Sequence, residues 1–186
     1  MIVIETELPG VLIIEPKHFG DDRGWFMETW HGERYAEAGL PGGFVQDNVS
    51  FSCRNVLRGL HFQNPLQQGK LIFVLRGEVF DVAVDVRVGS PTFARWFGMT
   101  LSATDKRQLY IPPGFAHGFC VLSDEALLAY KCSEKYAAEA EIGVFWNDPD
   151  IGIVWPVENP ILSEKDKLNP ALREIRKERL PVYAGD

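Results

Sequence analysis

Cysteine, positive charge and long apolar runs are all scarce in this sequence. The three cysteines, Cys53, Cys120 and Cys132, are odd in number and form no CxxC pair, which indicates reduced thiols rather than a disulfide framework or a zinc site. Lys and Arg number 19 against 26 Asp and Glu, a formal net charge of -7, so no nucleic acid partner is expected. No segment approaches the ~18 apolar residues that cross a bilayer, and no membrane partner is expected either.

The N-terminal stretch MIVIETELPG also lacks the features of a signal peptide. Its apolar run is too short for a signal core, and it has acids where a signal peptide has bases. These features predict a cytoplasmic location. The 186 residues, 46% apolar and 24% charged, predict one domain over residues 1–186 whose core needs no disulfide or metal.

Short strand patterns dominate the rest of the chain. In KLIFVLRGEVFDVAVDVRVGSPTF, the apolar residues Phe80 to Val86 alternate with a second set that includes Asp81 and Asp85, which predicts a half-buried strand. Arg76-Gly77 interrupts the apolar run before it, so two successive strands are predicted. The predicted strands are Val11–Ile14, Phe44–Phe51, Lys70–Leu75, Glu78–Arg87, Phe93–Leu101, Gln108–Ile111, Gly118–Leu122, Leu127–Cys132 and Ile142–Phe145.

Helical signals are few. GERYAEAGL predicts a short helix that ends at Gly39, and NPALREIRKERL predicts a surface helix with Asn169 as its N-cap and Pro170 at its first position. Many short strands without long helical periods favour a mainly β fold over a parallel α/β sheet. The sequence therefore predicts an antiparallel barrel or jelly roll with short peripheral helices.

Two histidine elements bear on whether such a jelly roll binds a metal. A jelly roll of the cupin type that holds a metal has an HxH element with a downstream Glu, followed by Pro-x-Gly-x-x-His. IPPGFAHGF matches the last element and contains His117, but His61 is followed by Gln63, and Gln67 stands where the Glu is expected. Two histidines without a carboxylate are a poor ligand set for Zn, Fe or Mn, so no metal is expected.

RGLHFQ, residues 58–63, leaves two other roles open for His61. A core histidine held by hydrogen bonds is the ordinary one. A general base is the other, because imidazole titrates near neutrality and the cations Arg58 and Lys70 can hold an anionic substrate. If these cations point inward, an anion or carboxylate must meet them, because burying them unpaired would be costly, and this favours the base. Plain solvent exposure is the alternative for both.

Tyr130 and Asp166 each have two interpretations. Tyr130 is either a core tyrosine or a phenol that stays protonated at pH 7 and donates a proton to a carbanion. SEKD, from Ser163 to Asp166, matches a helix capping box, and the pattern alone favours that role. The alternative is that the Asp166 carboxylate accepts a ring N–H of His61 and fixes its tautomer.

Eight motifs occur in order between residues 19 and 166, and together they resemble one family. They are FGDDRGWFMETW, QDNVSFS, VLRGLHFQNPLQQGKL, VFDVAVDVRVGSPTF, YIPPGFAHGF, the segment Tyr130–Tyr136, IGVFWNDPDIGIVWP and LSEKD. The set is similar to the dTDP-4-dehydrorhamnose 3,5-epimerases, cupin-type enzymes of rhamnose nucleotide biosynthesis.

The resemblance implies a double-stranded β-helix without a metal or organic cofactor. It also implies a homodimer, in which an N-terminal segment of one subunit lies near the partner's site. The implied reaction converts dTDP-4-keto-6-deoxy-D-glucose to dTDP-4-keto-L-rhamnose. A relative that epimerises only C3 or C5, and a noncatalytic cupin that binds nucleotide sugars, are the alternatives, although the base and acid positions are both retained.

The resemblance also implies roles for individual residues. His61 corresponds to the base, Asp166 to its orienting partner and Tyr130 to the acid on the opposite face, while Lys70 would stabilise the enolate oxygen. Tyr136 falls on the position that stacks with thymine. The remaining residues expected to bind the nucleotide sugar are Arg23, Phe26, Glu28, Gln46, Asp47, Asn48, Arg58, His117, Glu141 and Lys165.

Overall fold

Two antiparallel sheets dominate the structure, a computed structural model that describes residues 1–40 and 43–185. One sheet has six strands, in the spatial order β1 (Ile2–Glu5), β2 (Leu12–Glu15), β10 (Gln108–Ile111), β7 (Lys70–Arg76), β12 (Glu125–Cys132) and β5 (Gln46–Cys53). The other has five, in the order β13 (Glu141–Gly143), β6 (Leu57–Gln63), β11 (Phe115–Val121), β8 (Glu78–Asp85) and β9 (Trp96–Ser102). β3 (His18–Asp21) and β4 (Gly24–Met27) form a separate hairpin. The predicted mainly β jelly roll is confirmed.

Two apolar layers hold the five-stranded sheet in place. The inner layer lies between the sheets and joins residues such as Ile72 and Leu128 of the larger sheet to Phe119 of the smaller one. The outer layer joins the opposite face of the smaller sheet to the C-terminal segment, where Val84 packs in one cluster with Trp155. The smaller sheet is therefore covered on both faces.

This double covering changes the interpretation of β8. The sequence predicts a half-buried strand, but the face that carries Asp81 and Asp85 is buried too, and both carboxylates are 0% exposed. The prediction is wrong because alternation detects two chemically different faces, not which of them meets solvent. Each buried carboxylate has a cationic or imidazole partner, Arg87 for Asp85 and His117 for Asp81, as burial of charge requires.

Strand β6, which carries RGLHFQ, is absent from the predicted strands. Its sequence contains Gly59, which has a φ of 116°. A Cβ at this position would lie 2.6 Å from Gly118 Cα and 2.7 Å from the carbonyl oxygen of His117 on β11. Only glycine allows this conformation and this approach, so the residue that hides the strand pattern also brings His61 opposite His117 in the paired register.

The helices differ in how well they were predicted. Helix α1 (Gly32–Glu37) has the expected end, with Gly39 at a φ of 86° just after its C-cap. Helix α2 (Glu164–Lys167) follows Ser163. The predicted helix from Asn169 is wrong, since two 3-10 helices, Leu172–Glu174 and Lys177–Arg179, occupy that segment. The backbone of this segment makes hydrogen bonds outside a helix: the Pro170 carbonyl accepts from the Phe145 amide at 2.8 Å.

No helix in the two described ranges is long and apolar enough to cross a membrane.

Candidate active site

A cleft in two adjoining parts takes its walls from both sheets. The larger part, about 470 Å³, includes Arg58, His117 and Asp166 in its lining. The smaller part, about 220 Å³, is lined in part by Gln46, Asn48, Gln63, Tyr136 and Glu141. Three side chains line both parts, namely His61, Lys70 and Tyr130. The structure therefore brings the predicted base, acid and enolate-binding cation to one place.

His61 and Asp166 form a close pair on one wall. His61 Nε2 lies 2.6 Å from Asp166 Oδ1, and the side chains are 27% and 4% exposed. Burial opposes ionisation of Asp166, but the bond from His61 and a backbone bond from Gly59 help to hold the pKa of its carboxyl below the ordinary value. An ionised carboxylate only accepts hydrogen bonds, so Nε2 carries the proton and Nδ1 keeps the lone pair.

The same geometry bears on the capping box. Ser163 Oγ accepts a hydrogen bond from the backbone amide of Asp166 at 3.1 Å, so Ser163 caps α2. The Asp166 carboxylate, however, contacts His61. The two interpretations thus divide between two parts of one residue: its backbone is capped, and its side chain is free to orient the imidazole.

Tyr130 and Lys70 project from the six-stranded sheet, on neighbouring strands β12 and β7. Burial raises the pKa of Tyr130, so its phenol stays protonated. Burial lowers the pKa of Lys70, while the nearby Cys132, Asp81 and Glu141 act to raise it. Within the described part of the chain Lys70 has no salt-bridge partner, and an unpaired half-buried cation is costly until an anion meets it.

His117 is held by a buried carboxylate. Its Nε2 lies 3.0 Å from both oxygens of Asp81, and the two side chains are 7% and 0% exposed. The ring centroid is 6.5 Å from that of Tyr130. A buried carboxyl group needs a hydrogen-bond partner, and this contact with Asp81 fixes the ring of His117 at the cleft. Sequence reasoning missed Asp81, although its place on the polar face of β8 was a visible signal.

The smaller part of the cleft carries a linked set of polar side chains. Gln46 Nε2 donates to Asn48 Oδ1 at 3.0 Å, and the Tyr136 hydroxyl donates to Glu141 Oε2 at 3.2 Å. Lys165 forms an ion pair with the same Glu141 oxygen. The ammonium of Lys165 helps hold the pKa of Glu141 below its usual range despite burial. The ring of Tyr136 is 54% exposed and can accept a flat ligand.

Strand β5 contributes a row of inward-facing residues to the same cleft. Arg58 Nε donates to Ser52 Oγ at 3.0 Å, and Asn48 Nδ2 donates to Cys132 Sγ at 3.5 Å. Ser50 lines the larger part of the cleft, and its buried hydroxyl has no hydrogen-bond partner among residues 1–40 and 43–185. Sequence reasoning did not identify Ser50 or Cys132 as lining residues, because their positions follow only from the pairing of β5 with β12.

Four of the expected substrate-binding residues lie outside this cleft within the single chain. Arg23, Phe26 and Glu28 lie on or next to the β3–β4 hairpin, and the Phe26 side chain is 70% exposed. Arg23 pairs with Asp21, and Glu28 pairs with Arg34 of α1. Asp47 faces outward on β5 and pairs with Lys131 at 2.9 Å.

Metal ligation has no cluster to support it in the described ranges. Among residues 1–40 and 43–185, no three His, Cys, Asp or Glu side chains are grouped so as to hold an ion. Gln63, which stands at the second position of the HxH element, directs its amide to backbone groups instead.

Comparison with known proteins identifies the family. The sequence model described as dTDP-4-dehydrorhamnose 3,5-epimerase matches residues 5–174. This chain belongs to that family. It is 58% identical to the dTDP-4-dehydrorhamnose 3,5-epimerase of Shigella flexneri over 168 residues, which cover 89% of this chain and 93% of the relative. It is 53% identical to that of Methanothermobacter thermautotrophicus, over 97% of this chain and 96% of the relative.

A solved structure of the same family has the same fold. The epimerase of Legionella pneumophila, solved in complex with dTDP-4-keto-L-rhamnose, superposes with a TM-score of 0.96 at 50% identity and covers 99% of both chains. The resemblance found in the sequence motifs is thereby confirmed, as is the cupin-type fold. The chain is an isomerase of the dTDP-4-dehydrorhamnose 3,5-epimerase family.

Proposed function

We propose that this epimerase inverts C3 and C5 of dTDP-4-keto-6-deoxy-D-glucose to give dTDP-4-keto-L-rhamnose, with His61 as the base and Tyr130 as the acid. The observation that carries the proposal is the placement of these two side chains. His61 comes from the five-stranded sheet and Tyr130 from the six-stranded sheet, and both line the same cleft. Inversion needs a proton removed from one face of the sugar and returned to the other, which two separate walls can provide.

Lys70 stabilises the charge that the reaction creates. Removal of either proton moves negative charge onto the C4 oxygen, because C3 and C5 both flank the C4 ketone. An ammonium at that oxygen therefore serves both steps, and one donor of this kind is worth about 3 kcal/mol in the transition state. The unpaired state of Lys70 in the described residues supports this role, since the enolate oxygen would provide its missing partner.

A single base is enough for both carbons. In the chair form of the D-gluco ring, the hydrogens on C3 and C5 are both axial and lie on the same face. His61 Nδ1 can therefore abstract each of them in turn after a small shift of the ring, while Tyr130 meets the other face. General base catalysis by one imidazole contributes about 10²- to 10⁴-fold.

The polar lining binds the rest of the nucleotide sugar. Arg58 and Lys165 supply donors for the diphosphate and sugar, His117 lies in the larger part of the cleft as a further contact for the sugar, and the exposed ring of Tyr136 stacks on thymine. Gln46, Asn48 and Glu141 line the smaller part of the cleft and offer hydrogen bonds to the nucleotide end. No metal or organic cofactor takes part.

A homodimer belongs to the same proposal. The outer face of β5 carries two exposed apolar residues, Val49 at 63% and Phe51 at 54%, and the hairpin exposes Trp25 at 57% and Phe26 at 70%. Exposed apolar surface of this kind is typical of interfaces. Arg23, Phe26, Glu28 and Asp47, which do not line the cleft of their own chain, would then be available to a second copy.

The proposal also includes the organisation and location of the protein: residues 1–186 form one domain, and the protein is cytoplasmic.

Deuterium exchange tests the reaction. The protein is incubated with the ketosugar nucleotide in heavy water, and the label is located by NMR. Label at both C3 and C5 with inversion of both centres supports the proposal. Label at one carbon would identify a single-centre epimerase, and no label would refute catalysis. His61→Asn is expected to abolish exchange at both carbons, because one base serves both, and to leave the melting temperature unchanged. Retained exchange at C3 or at C5 would contradict the assignment of His61 as the base.

Subunit mixing tests the dimer. His61→Asn disables the cleft of its own chain, and Phe26→Ala removes a hairpin side chain offered to the partner. If each is inactive alone, mixing and subunit exchange should restore activity to about a quarter of wild type, because half of the dimers are mixed and each has one complete site. Recovery in this assay supports the dimer, and its absence in exchanged dimers counts against a shared site.

A further inference from the structure

Gln63 occupies the position where a metal-binding cupin has its second histidine, and here most of the hydrogen-bonding capacity of its amide is satisfied. Nε2 donates to the Leu66 carbonyl at 2.8 Å and to the Lys135 carbonyl at 3.1 Å. Oε1 accepts from the Ala137 amide at 2.9 Å. The side chain is 3% exposed, and an amide offers two donors and two acceptor sites, so three of its four bonds are made to backbone.

Two of these bonds fall on the residues immediately before and after Tyr136. Gln63 is thus hydrogen-bonded to the backbone on both sides of the exposed tyrosine. A third contact comes from Gln46, whose Oε1 accepts from the Tyr136 amide at 2.8 Å. The loop that carries Tyr136 has no regular secondary structure of its own, so side-chain bonds from β6 and β5 fix its course.

We propose that Gln63 is a positioning residue for nucleotide binding, which holds Tyr136 at the place where its ring meets the base. This rests on the proposed function, in which Tyr136 stacks on thymine. A stacking ring needs a fixed backbone, because an exposed tyrosine on a loose loop occupies the binding position only part of the time. The apparent affinity then falls by the fraction of time that the position is occupied.

The location of Gln63 links the two ends of the substrate. His61 and Gln63 are two residues apart on β6 and line the smaller part of the cleft together. One strand thereby positions both the base that removes the proton and the loop that binds the nucleotide. Gln63 makes no contact with Asp166 or Tyr130 among its bonds, so its loss is expected to act on binding rather than on chemistry.

The test compares Gln63→Met with Gln67→Met. Gln67 is a near neighbour whose amide donates to Asn64 at 3.4 Å and makes no hydrogen bond to the Tyr136 loop among the described residues. By calorimetry, Gln63→Met should weaken dTDP binding about tenfold, raise KM in parallel and leave kcat within about threefold of wild type. Gln67→Met should stay within about twofold for dTDP affinity. Wild-type affinity in Gln63→Met would overturn the proposal.

A double-mutant cycle separates positioning of Tyr136 from general loss of structure. In the Tyr136→Ala background, Gln63→Met should change dTDP affinity by less than about twofold, because the ring it positions is gone. An equal effect in both backgrounds would overturn the proposal. If Tyr136→Ala leaves dTDP affinity at the wild-type value, thymine stacking is refuted and this proposal with it, whereas deuterium exchange at C3 and C5 would still support the reaction.

Gln63→Glu covers the case in which the methionine variant does not fold. It preserves the volume and one acceptor for the Ala137 amide, but it puts an oxygen against the carbonyls of Leu66 and Lys135. The same weakening of dTDP binding is expected, with kcat again close to wild type. Unchanged dTDP affinity in a folded Gln63→Glu variant would contradict the role.

Discussion

Replacing Asp166 by asparagine is expected to remove most of the turnover and little of the stability. Asp166 Oδ1 lies 2.6 Å from His61 Nε2, and the Asp166 side chain is 4% exposed, so the variant leaves the imidazolium without its buried counterion. A hydrogen bond to a charged group contributes about 1.5–3 kcal/mol. An asparagine can also present its NH₂ to Nε2, which stabilises the wrong tautomer, and the combined loss in kcat should reach about 10²- to 10⁴-fold.

Stability should survive because the cap does not use the carboxylate. Ser163 Oγ accepts from the Asp166 backbone amide at 3.1 Å, and this bond remains in Asp166→Asn. Ser163→Ala is the matched control: it should lower stability by about 1 kcal/mol while turnover stays close to wild type. Both variants are assayed by deuterium exchange at C3 and C5 and by thermal unfolding.

Two results would refute this reasoning. Turnover of Asp166→Asn within about threefold of wild type would show that the close contact with His61 does no catalytic work. A drop in melting temperature as large as that of Ser163→Ala, with turnover retained, would show that Asp166 serves the helix instead.

Three further predictions concern the acid, the strand and a buried ion pair. Tyr130→Phe should still exchange deuterium into the substrate but lose inversion, because the base remains while the opposite-face donor is gone; parallel loss of exchange and inversion would contradict this. Gly59→Ala should destabilise the protein by about 1–3 kcal/mol in urea unfolding, since its Cβ would lie 2.6 Å from Gly118 Cα; unchanged stability would show that β6 can shift. Burial opposes ionisation of Asp85, but hydrogen bonds from Arg87, Ser90 and Thr92 hold the pKa of its carboxyl below the ordinary 3.8. The ionised carboxylate therefore stabilises the folded state above pH 3.8, and this stability is lost as the pH falls through the lower pKa of the folded state. Asp85→Asn should therefore lose less stability between pH 6 and pH 3 than wild type does, as measured by melting temperature, and an equal loss would refute the assignment.

The sequence predicted those elements whose signal is local. Alternation and punctuation by glycine found β7, β10 and β12, and Gly39 marked the end of α1. The pattern failed where tertiary contacts decide. The polar face of β8 is buried because the six-stranded sheet packs over it, and Asp81 finds its partner, His117, on the neighbouring strand β11 of its own sheet. The segment after Asn169 forms 3-10 turns because its backbone bonds to Phe145 and its apolar side chains reach the outer core.

The site shows the same division. His61, Lys70 and Tyr130 were identified from residue type and motif, and all three line the cleft. The choice between the two roles of Asp166 was open in the sequence because its partner His61 is 105 residues away. Ser50 and Asp81 lie within two of the family motifs, but no pattern in them predicted that Ser50 lines the cleft or that Asp81 holds His117, because both positions follow from strand pairing.

The topology of the sheets, rather than either residue alone, makes inversion possible. Alternation along a strand shows that a side chain faces inward, but it does not show which wall it belongs to. In this fold β6 and β12 lie in different sheets, so His61 and Tyr130 stand on opposite walls of one cleft. In the proposed mechanism, a sugar ring between them loses its proton to one wall and regains it from the other, and because the C3 and C5 hydrogens share a face, the same two walls would serve both carbons. If the acid stood on the same wall as the base, proton exchange would remain and inversion would be lost, whatever the pKa of each group.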